Sequence, residues 1–321
     1  MPTLAELEAA ADLVHRTITP TPQICWPLLS ERCGCEVWVK HENHTPIGAF
    51  KVRGGLVYMS DLKQAQPDLA GVVTATRGNH GQSVAFAARV FGIRAVIVVP
   101  RGNSVEKNLA MVAFGAELVE HGHDFQAAYE FAAELAEDRG LRMLRSFHPL
   151  LVRGVASYSL ELLRAVPDLD TLYVPVGLGS GISGAIAARE ALGLATKLVG
   201  VVAEKAATYA LSFEAKRPVP TETSETLADG LAVRVPDEGA LEVILKGVER
   251  IVTVSDDDIL AAMRHYFSDT HNIAEGAGAA PLAALLNERE KMRGRKVGLV
   301  LSGGNLDRAL YLQALGAHPT G

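Results

Sequence analysis

The stretch GVVTATRGNHGQSVAFAARVFGIRAVIVVP, residues 71–100, decides the fold of this chain. A short apolar run at 72–75 leads through a small polar turn to an alanine-rich helix candidate at 82–91, and a second apolar run follows at 95–99. Apolar runs without strict alternation are typical of parallel strands that are buried on both faces. The stretch therefore predicts a β-strand, a helix and a second, parallel β-strand in succession.

The same alternation continues along the chain. Further strand candidates lie at 37–40, 117–119, 172–175, 198–203, 251–254 and 297–301. Further helix candidates lie at 124–139, 155–166, 182–192, 257–267, 279–289 and 306–315. Short connections between such elements predict a doubly wound α/β fold with ligands at the carboxyl ends of the strands. One long irregular segment is predicted at 218–237, and such loops are often functional.

Composition and charge exclude several classes of protein. The 321 residues are 48% hydrophobic and 21% charged, a composition that supports a large core and is too apolar for a disordered chain. The formal charge of −6 argues against a nucleic-acid surface or a basic membrane patch. The N-terminal segment MPTLAELEAAADLVHRTI predicts an acidic amphipathic helix, and no apolar run reaches the length of a membrane span. We therefore expect a cytoplasmic protein with neither a membrane nor a nucleic-acid partner.

One lysine is singled out by its neighbours in the stretch KHENHTPIGAFKVRGG, residues 40–55. Lys51 follows a Pro-Ile-Gly-Ala loop, lies between Phe50 and Val52, and stands at the start of a predicted helix. Partial burial at such a position lowers the pKa of the ammonium and makes the neutral amine available for Schiff-base chemistry. The alternative is a structural lysine at a helix start.

The turn TATRGNHGQ, residues 74–82, directly follows a predicted strand and opens a predicted helix. Backbone N–H groups at such a helix N-terminus, with Thr76 and Asn79 beside them, form a cradle for a carboxylate or another anion. The alternative is an ordinary turn in which the Asn79 side chain caps the helix.

The glycine-rich turn GLGSGISG, residues 177–184, has the same position between a strand and a helix. Its glycines allow backbone amides to approach a phosphate, and the helix dipole favours the dianion. A second interpretation stays open, because Gly179-x-Gly181-x-x-Gly184 matches the dinucleotide fingerprint and Glu204 follows about twenty residues later. It predicts a nicotinamide-dependent oxidoreductase, but it gives neither Lys51 nor the turn at 74–82 a role.

A third polar turn, LSGGN at 301–305, follows the last predicted strand. Its Ser302 either caps the next helix or donates to a ring nitrogen of a ligand. A weaker signal is the spacing of Ser104 and Lys107, which is that of a penicilloyl-serine nucleophile without its companion motifs. The cysteines, whose spacing fits no zinc site and predicts free thiols, are Cys25, Cys33 and Cys35.

A lysine, an anion cradle, a phosphate cradle and a late serine are together the groups that pyridoxal 5'-phosphate requires. On these four motifs the chain resembles the serine/threonine dehydratases and serine racemases of the fold-type II pyridoxal-phosphate enzymes, the tryptophan synthase β-like group, over nearly its whole length. The resemblance implies two interleaved, doubly wound, three-layer αβα domains with the cofactor in the cleft between them. It implies a large cofactor-binding domain at 1–52 and 148–321, a small substrate-carboxylate domain at 53–147, and a homodimer.

The resemblance also implies roles for individual residues. The implied cofactor-binding residues are Lys51, Phe50, Asn79, Gly177, Leu178, Gly179, Ser180, Gly181, Glu275 and Ser302. The implied substrate-binding residues are Thr76, Arg77, Gly78, Asn79 and His80. Lys51 would hold the cofactor as a Schiff base and remove the substrate α-proton, the glycine turn would bind the phosphate, and Ser302 would meet the pyridine nitrogen. Asn79 would bond the ring hydroxyl, with Phe50 against the ring face and Glu275 near the ring edge.

The activity implied is that of an ammonia-lyase that converts a small 3-hydroxy amino acid, threonine or serine, to a 2-oxo acid and ammonia. Alternatives are a dehydratase of a less common hydroxy amino acid such as 3-hydroxyaspartate, and a non-catalytic amino-acid sensor on the same scaffold. The chain ends soon after the turn that contains Ser302, so we expect it to lack the C-terminal regulatory domain of the biosynthetic threonine deaminases.

Three positions depart from the family pattern. Arg77 stands where the family has serine or another small residue, which disfavours racemisation and introduces a guanidinium that either binds a second carboxylate or points to solvent. Ala49 replaces the usual serine two residues before Lys51. Glu204 is followed by Ala210 where the racemases have an aspartate ligand, so we expect no bound metal.

Overall fold

Ten strands form two separate sheets in the computed structural model, which describes residues 1–316. The strands are β1 Gln23–Cys25, β2 Glu36–His41, β3 Val72–Ala75, β4 Ala95–Val99, β5 Glu117–Glu120, β6 Arg142–Met143, β7 Thr171–Pro175, β8 Lys197–Ala203, β9 Arg250–Val254 and β10 Lys296–Leu301. The larger sheet has the order β1-β2-β10-β7-β8-β9, and the smaller has the order β5-β4-β3-β6. All neighbouring pairs are parallel except the edge pair β1 and β2.

The helices connect the strands as expected for a parallel sheet. They are α1 Leu4–His15, α2 Pro27–Cys33, α3 Lys51–Ala65, α4 Asn79–Val90, α5 Val105–Ala113, α6 Phe125–Asp138, α7 Pro149–Ala165, α8 Ser180–Ala191, α9 Thr208–Ala215, α10 Glu238–Gly247, α11 Asp256–Thr270, α12 Gly276–Asn287, α13 Arg289–Met292 and α14 Arg308–Ala314. Capping boxes at Thr3 and Ser255 fix the starts of α1 and α11.

Both sheets are covered by helices on their two faces. Successive residues of a strand point to opposite sides, so each strand contributes side chains to two apolar cores. In β8, Val199 and Val201 belong to one apolar core cluster, whereas Leu198 and Val202 belong to another. The strands of the smaller sheet divide in the same way between two further clusters. The predicted α/β fold of parallel, helix-covered sheets is confirmed.

The chain passes from the larger sheet to the smaller one and returns. The strands of the smaller sheet lie between β2 and β7 in sequence, so the two sheets are interleaved along the chain. The domain limits at 1–52, 53–147 and 148–321 stay a prediction. The predicted irregular segment at 218–237 is confirmed, since between α9 and α10 the chain forms only a single 3-10 turn, Asp229–Leu231.

The predicted strands and helices are present, with boundaries that differ by a few residues. The helix predicted from 155 begins at Pro149, where the His148 side chain accepts from the backbone N–H of Leu150. The predictions missed β1 and β6, which are only three and two residues long. They also missed the helices α2, α5, α9, α10 and α13.

A buried ionic cluster fixes the start of α3, where Lys51 lies. Arg53 is fully buried and donates to both carboxylate oxygens of Glu42 and to both of Glu161. The Lys40 ammonium also donates to Glu161, at 2.5 Å. Because these carboxylates lie near the end of β2 and in α7, the cluster ties three elements together directly behind the catalytic lysine candidate.

The cysteines Cys25, Cys33 and Cys35 are free thiols, as predicted. Within residues 1–316, no helix combines the length and apolarity needed to cross a membrane.

Candidate active site

A cavity of about 610 Å³ opens where the carboxyl ends of strands from both sheets face each other. Its walls contain predicted site residues that follow β3 and β7, together with the lysine at the start of α3 and the glutamate just before α12. The predicted residues in its lining are Lys51, Thr76, Arg77, Gly78, Asn79, His80, Leu178 and Glu275. The other predicted residues do not line it: Phe50, Gly177, Gly179, Ser180, Gly181 and Ser302.

Lys51 is the first residue of α3 and its ammonium faces the cavity. Burial lowers the pKa of Lys51 to about 8, with the Glu275 carboxylate acting in the opposite direction. The Nζ atom lies 5.2 Å from the centre of the Phe50 ring. Ser83 donates to the Lys51 carbonyl at 2.6 Å, which holds the helix start against α4. A pKa of about 8 leaves part of the Lys51 population as the neutral amine near neutral pH, which is the form that Schiff-base chemistry requires.

Asn79 does not cap α4. Gly78 occupies the N-cap position, and the side chain that bonds the helix start is that of Thr76, which accepts from the backbone N–H of Gly81. The Asn79 amide instead donates to Glu275 at 2.8 Å and accepts from Asn305 at 2.8 Å. Burial raises the pKa of Glu275 to about 6, an effect opposed by Lys107 and by the Asn79 bond. The amide thus joins the smaller-sheet turn to two residues of the larger-sheet side.

The turn at 76–80 is stabilised by hydrogen bonds to the side chain of one of its own residues, Thr76. The Thr76 hydroxyl oxygen accepts from the backbone N–H groups of Gly78 at 3.0 Å and of Gly81 at 3.3 Å. Arg77 is exposed, whereas His80 is buried and its Nε2 atom has no hydrogen-bond partner among residues 1–316. Burial and the neighbouring Lys51 lower the pKa of His80 to about 3, so its imidazole is neutral.

The glycines of the turn at 177–181 lie where a Cβ atom would crowd neighbouring atoms. A Cβ at Gly177 would lie 2.2 Å from the Gly230 carbonyl oxygen, and Gly179 has a φ of +97°. A Cβ at Gly181 would lie 3.3 Å from the Tyr158 hydroxyl. Ser180, which is buried, begins the twelve-residue helix α8. Bare backbone at a helix N-terminus is an anion site, and Leu178 of the same turn reaches the cavity lining.

Ser302 is also not a helix cap. It follows β10 directly, but α14 begins only at Arg308, with Asp307 in the N-cap position. The serine is 3% exposed, and its carbonyl accepts from the Phe50 backbone N–H at 3.0 Å. Ser302 is therefore joined to the residue beside Lys51, while its side chain is free of a role in secondary structure.

Residues 14–303 match the family model described as pyridoxal-phosphate dependent enzyme. The chain belongs to this family. Its cofactor is therefore pyridoxal phosphate, and the residues described above fit that group: an amine of lowered pKa, a glycine turn at the N-terminus of a helix, and a buried serine. Membership also removes the dinucleotide interpretation, whose Glu204 is exposed and lies outside the cavity lining.

Two curated members of the family and one solved structure are similar over almost the whole chain. The L-threonine ammonia-lyase of Thermotoga maritima is 35% identical, over 96% of this chain and 76% of that protein. The L-threo-3-hydroxyaspartate ammonia-lyase of Saccharomyces cerevisiae is 30% identical, over 97% of this chain and 95% of that protein. The processed form of threonine deaminase isoform 2 from Solanum lycopersicum superposes with a TM-score of 0.92 at 29% identity, covering 98% and 92% of the two chains.

Several residues of the cavity were not predicted from the sequence of this family member. They include Lys107, Asp124, Phe125, Gln126, Ser146, Ser224, Asp229 and Arg234. Three of them lie in the irregular segment 218–237. The unusual length of that segment was the sequence feature that could have indicated a role in the cavity. The others follow strands of the smaller sheet, where a search of every carboxyl end would have found some of them.

No metal site accompanies the cavity in the part of the chain that the structure describes. Within residues 1–316, no group of three or more His, Cys, Asp or Glu side chains is arranged to hold a metal ion. Glu204 is exposed at the start of a short 3-10 helix, Glu204–Ala206.

Proposed function

We propose that this chain catalyses the pyridoxal-phosphate-dependent β-elimination of a small 3-hydroxy amino acid, threonine or serine, to a 2-oxo acid and ammonia. The observation that carries the proposal is the meeting, in one cavity, of the Lys51 amine and the anion-binding turn at 76–80. Similarity to the threonine ammonia-lyase of Thermotoga maritima supports the reaction type. Pyridoxal phosphate supplies, when bound, an electron sink for negative charge at the substrate α-carbon.

We assign the proton transfer at the α-carbon to Lys51. Its lowered pKa makes the amine a base of suitable strength near neutral pH. Removal of the α-proton and loss of the β-hydroxyl together release water, and hydrolysis of the product then yields the 2-oxo acid and ammonia. The turn at 76–80 would receive the substrate carboxylate through its backbone N–H groups, which fixes the α-carbon near Lys51.

We assign cofactor binding to residues on the larger-sheet side. The turn at 177–181, with Gly177, Leu178, Gly179, Ser180 and Gly181, would hold the phosphate at the start of α8. Ser302 would bond the pyridine nitrogen as a neutral partner, which does not require that nitrogen to be protonated. Phe50, Asn79 and Glu275 complete the proposed cofactor site.

A second candidate is β-elimination of a dicarboxylic substrate such as 3-hydroxyaspartate. Arg77 and Arg234 both line the cavity, and neither forms an ion pair with another residue of 1–316. A guanidinium is well suited to bind a second carboxylate. The yeast relative named as an L-threo-3-hydroxyaspartate ammonia-lyase supports the same substrate class.

The proposal is tested with the purified protein and the variant Lys51→Ala. The wild type should absorb visible light, become covalently labelled at Lys51 by borohydride, and release a 2-oxo acid from at least one 3-hydroxy amino acid. Lys51→Ala should lose at least about 10³-fold in turnover, since it removes the general base. Lys205→Ala, at an exposed lysine outside the cavity, is the control. Residual turnover of Lys51→Ala near the wild-type rate would contradict the assignment.

We also propose a homodimer located in the cytoplasm, without nucleic-acid or membrane partners. The resemblance to the family supports the dimer, and the net charge of −6 disfavours binding to nucleic acid or to an acidic membrane surface. Light scattering of the purified protein, together with its elution volume, measures the oligomeric state.

A further inference from the structure

Lys107 lies in the wall of the cavity, although no step of the proposed reaction uses it. Its side chain is 9% exposed. It lines both the 610 Å³ cavity and a smaller one of about 60 Å³, whose lining also includes Asp229, Glu275, Asn305 and Asp307. A buried ammonium is costly unless it is paired, so its position requires a partner of opposite charge.

The partner lies on the opposite side of the cleft. The Lys107 ammonium donates to Asp229 at 3.0 Å. Lys107 belongs to α5, which packs against α4 on the smaller-sheet side, whereas the turn Asp229–Leu231 packs against α12 on the larger-sheet side. Burial lowers the pKa of Lys107, but the carboxylates of Glu275, Asp229 and Asp307 raise it overall, so the group stays charged.

The stem of the same side chain supports the turn at 76–80. A Cβ on Gly78 would lie 2.7 Å from Lys107 Cδ and 3.4 Å from Cε, so the methylene groups lie directly against the Gly78 backbone. Gly78 is followed by Asn79, which bonds Glu275. Displacement of Lys107 would therefore remove the packing under the middle of the turn.

Two more contacts join the first turn of α5 to the larger-sheet side. The Ser104 hydroxyl donates to Asp307 at 2.5 Å, and Glu106 accepts from the backbone N–H of Arg308 at 3.1 Å. Together with the Lys107–Asp229 pair, they form three polar contacts across the cleft within four consecutive residues of one helix start. The Ser104 and Lys107 spacing seen in the sequence is that of a helix N-cap, because the Ser104 hydroxyl oxygen accepts from the Lys107 backbone N–H at 3.1 Å, and both side chains also contact the other side of the cleft.

We propose that Lys107 is a positioning residue: by pairing with Asp229 it closes the cleft and holds the turn at 76–80 in place to receive the substrate carboxylate. The identity of that ligand rests on the proposed function. Such a turn binds the carboxylate in the ground state and in the transition state alike. Loss of its support therefore raises KM and leaves kcat nearly unchanged.

The test uses the holoenzyme with Lys107→Met, which keeps the apolar stem and removes the charge, and Asp229→Asn. Each variant should raise KM for the hydroxy amino acid about tenfold, the loss expected for one hydrogen bond between charged groups, with kcat within about twofold of wild type. The double variant should be no worse than Lys107→Met, because both changes remove one interaction. Lys205→Met is the matched control, since it breaks a Lys–Asp pair outside the cavity, Lys205–Asp256 at 3.5 Å.

Hydrogen exchange supplies a readout that does not depend on turnover. In Lys107→Met, exchange should accelerate in peptides covering 72–83 and 224–235 and stay unchanged elsewhere. An unchanged KM, or acceleration spread over the whole chain, would overturn the positioning role; if Lys107→Met does not fold, Asp229→Asn decides by the same criteria. A wild type that turns over no 3-hydroxy amino acid would sink the proposed function, while the exchange data would still test Lys107.

Discussion

Arg77 is exposed at the edge of the cavity, in the turn proposed to receive the substrate carboxylate. Arg234 lines the same cavity from the long segment between α9 and α10, and its Nε donates only weakly, to the Thr221 carbonyl at 3.4 Å. Two guanidinium groups that face one cavity without an ion pair among residues 1–316 favour an anionic ligand. A substrate with a second carboxylate would supply one.

Replacing the guanidinium tests this specificity. If Arg77 binds a second carboxylate, Arg77→Ser should lower kcat/KM for 3-hydroxyaspartate about thirtyfold, the loss of one bond between charged groups, and change kcat/KM for threonine less than about threefold. The measurement is the initial rate of 2-oxo acid release for both substrates. Arg101→Ser, at an exposed arginine outside the cavity lining, controls for the change in net charge. An unchanged ratio between the two substrates would show that Arg77 does not select them.

Single residues also show where sequence reasoning could not decide. For Asn79 and Ser302 the sequence allowed a helix cap or a site role, because both residue types serve either purpose. The decision depends on where the next helix begins: Gly78 takes the N-cap of α4, and α14 starts six residues after Ser302. Helix boundaries are among the least reliable features of a sequence prediction, so the structure was needed to exclude both caps.

At the level of the element, the turn between β7 and α8 combines backbone geometry with the proposed phosphate site. Gly177→Ala should weaken pyridoxal phosphate binding at least about tenfold, because the new methyl group would meet the Gly230 carbonyl at 2.2 Å and must displace backbone. Fluorescence titration of the apoprotein with the cofactor measures the change. Gly239→Ala is the control, since its Cβ would meet only side-chain atoms, the Asp237 carboxylate at 3.3 Å and Phe147 Cε1 at 3.9 Å, on an exposed part of α10. Equal affinity in both variants would exclude tight packing at Gly177 as a requirement for binding.

Helix α5 shows why one wall of the cavity could not be predicted from the sequence. Its apolar residues Val105, Leu109 and Val112 are 68%, 64% and 50% exposed, whereas Lys107 and Met111 are buried. An amphipathic pattern predicts the reverse orientation, with the apolar residues inside. The contacts of Lys107 with Asp229 and Gly78 replace the usual apolar packing, and they depend on a residue 122 positions away in sequence. No local pattern contains that information.

For the whole molecule, most strands and helices could be predicted from the local hydrophobic pattern of the sequence, because parallel strands buried on both faces are continuous apolar runs. The short elements did not, since β1 and β6 have too few residues to show any period. The buried ionic cluster was also beyond the sequence, because it joins residues from distant parts of the chain. His15, Lys40 and Arg53 all contact the single carboxylate of Glu161.

The charge on Glu161 should make the stability of the molecule depend on acid pH. Burial raises its pKa, but Arg53 and Lys40 lower it overall from 4.5 to about 2, so the carboxylate stabilises the fold by about 3 kcal/mol above pH 4.5 and loses this contribution as the pH falls toward 2. Glu161→Gln should therefore lower the urea midpoint strongly at pH 7, and the difference from wild type should shrink between pH 4.5 and 2. Glu117→Gln, which breaks exposed pairs with Arg94 and Arg139, should change stability by less than about 1 kcal/mol. A difference between wild type and Glu161→Gln that stays constant down to pH 2.5 would mean that packing, and not the charge, holds this cluster together.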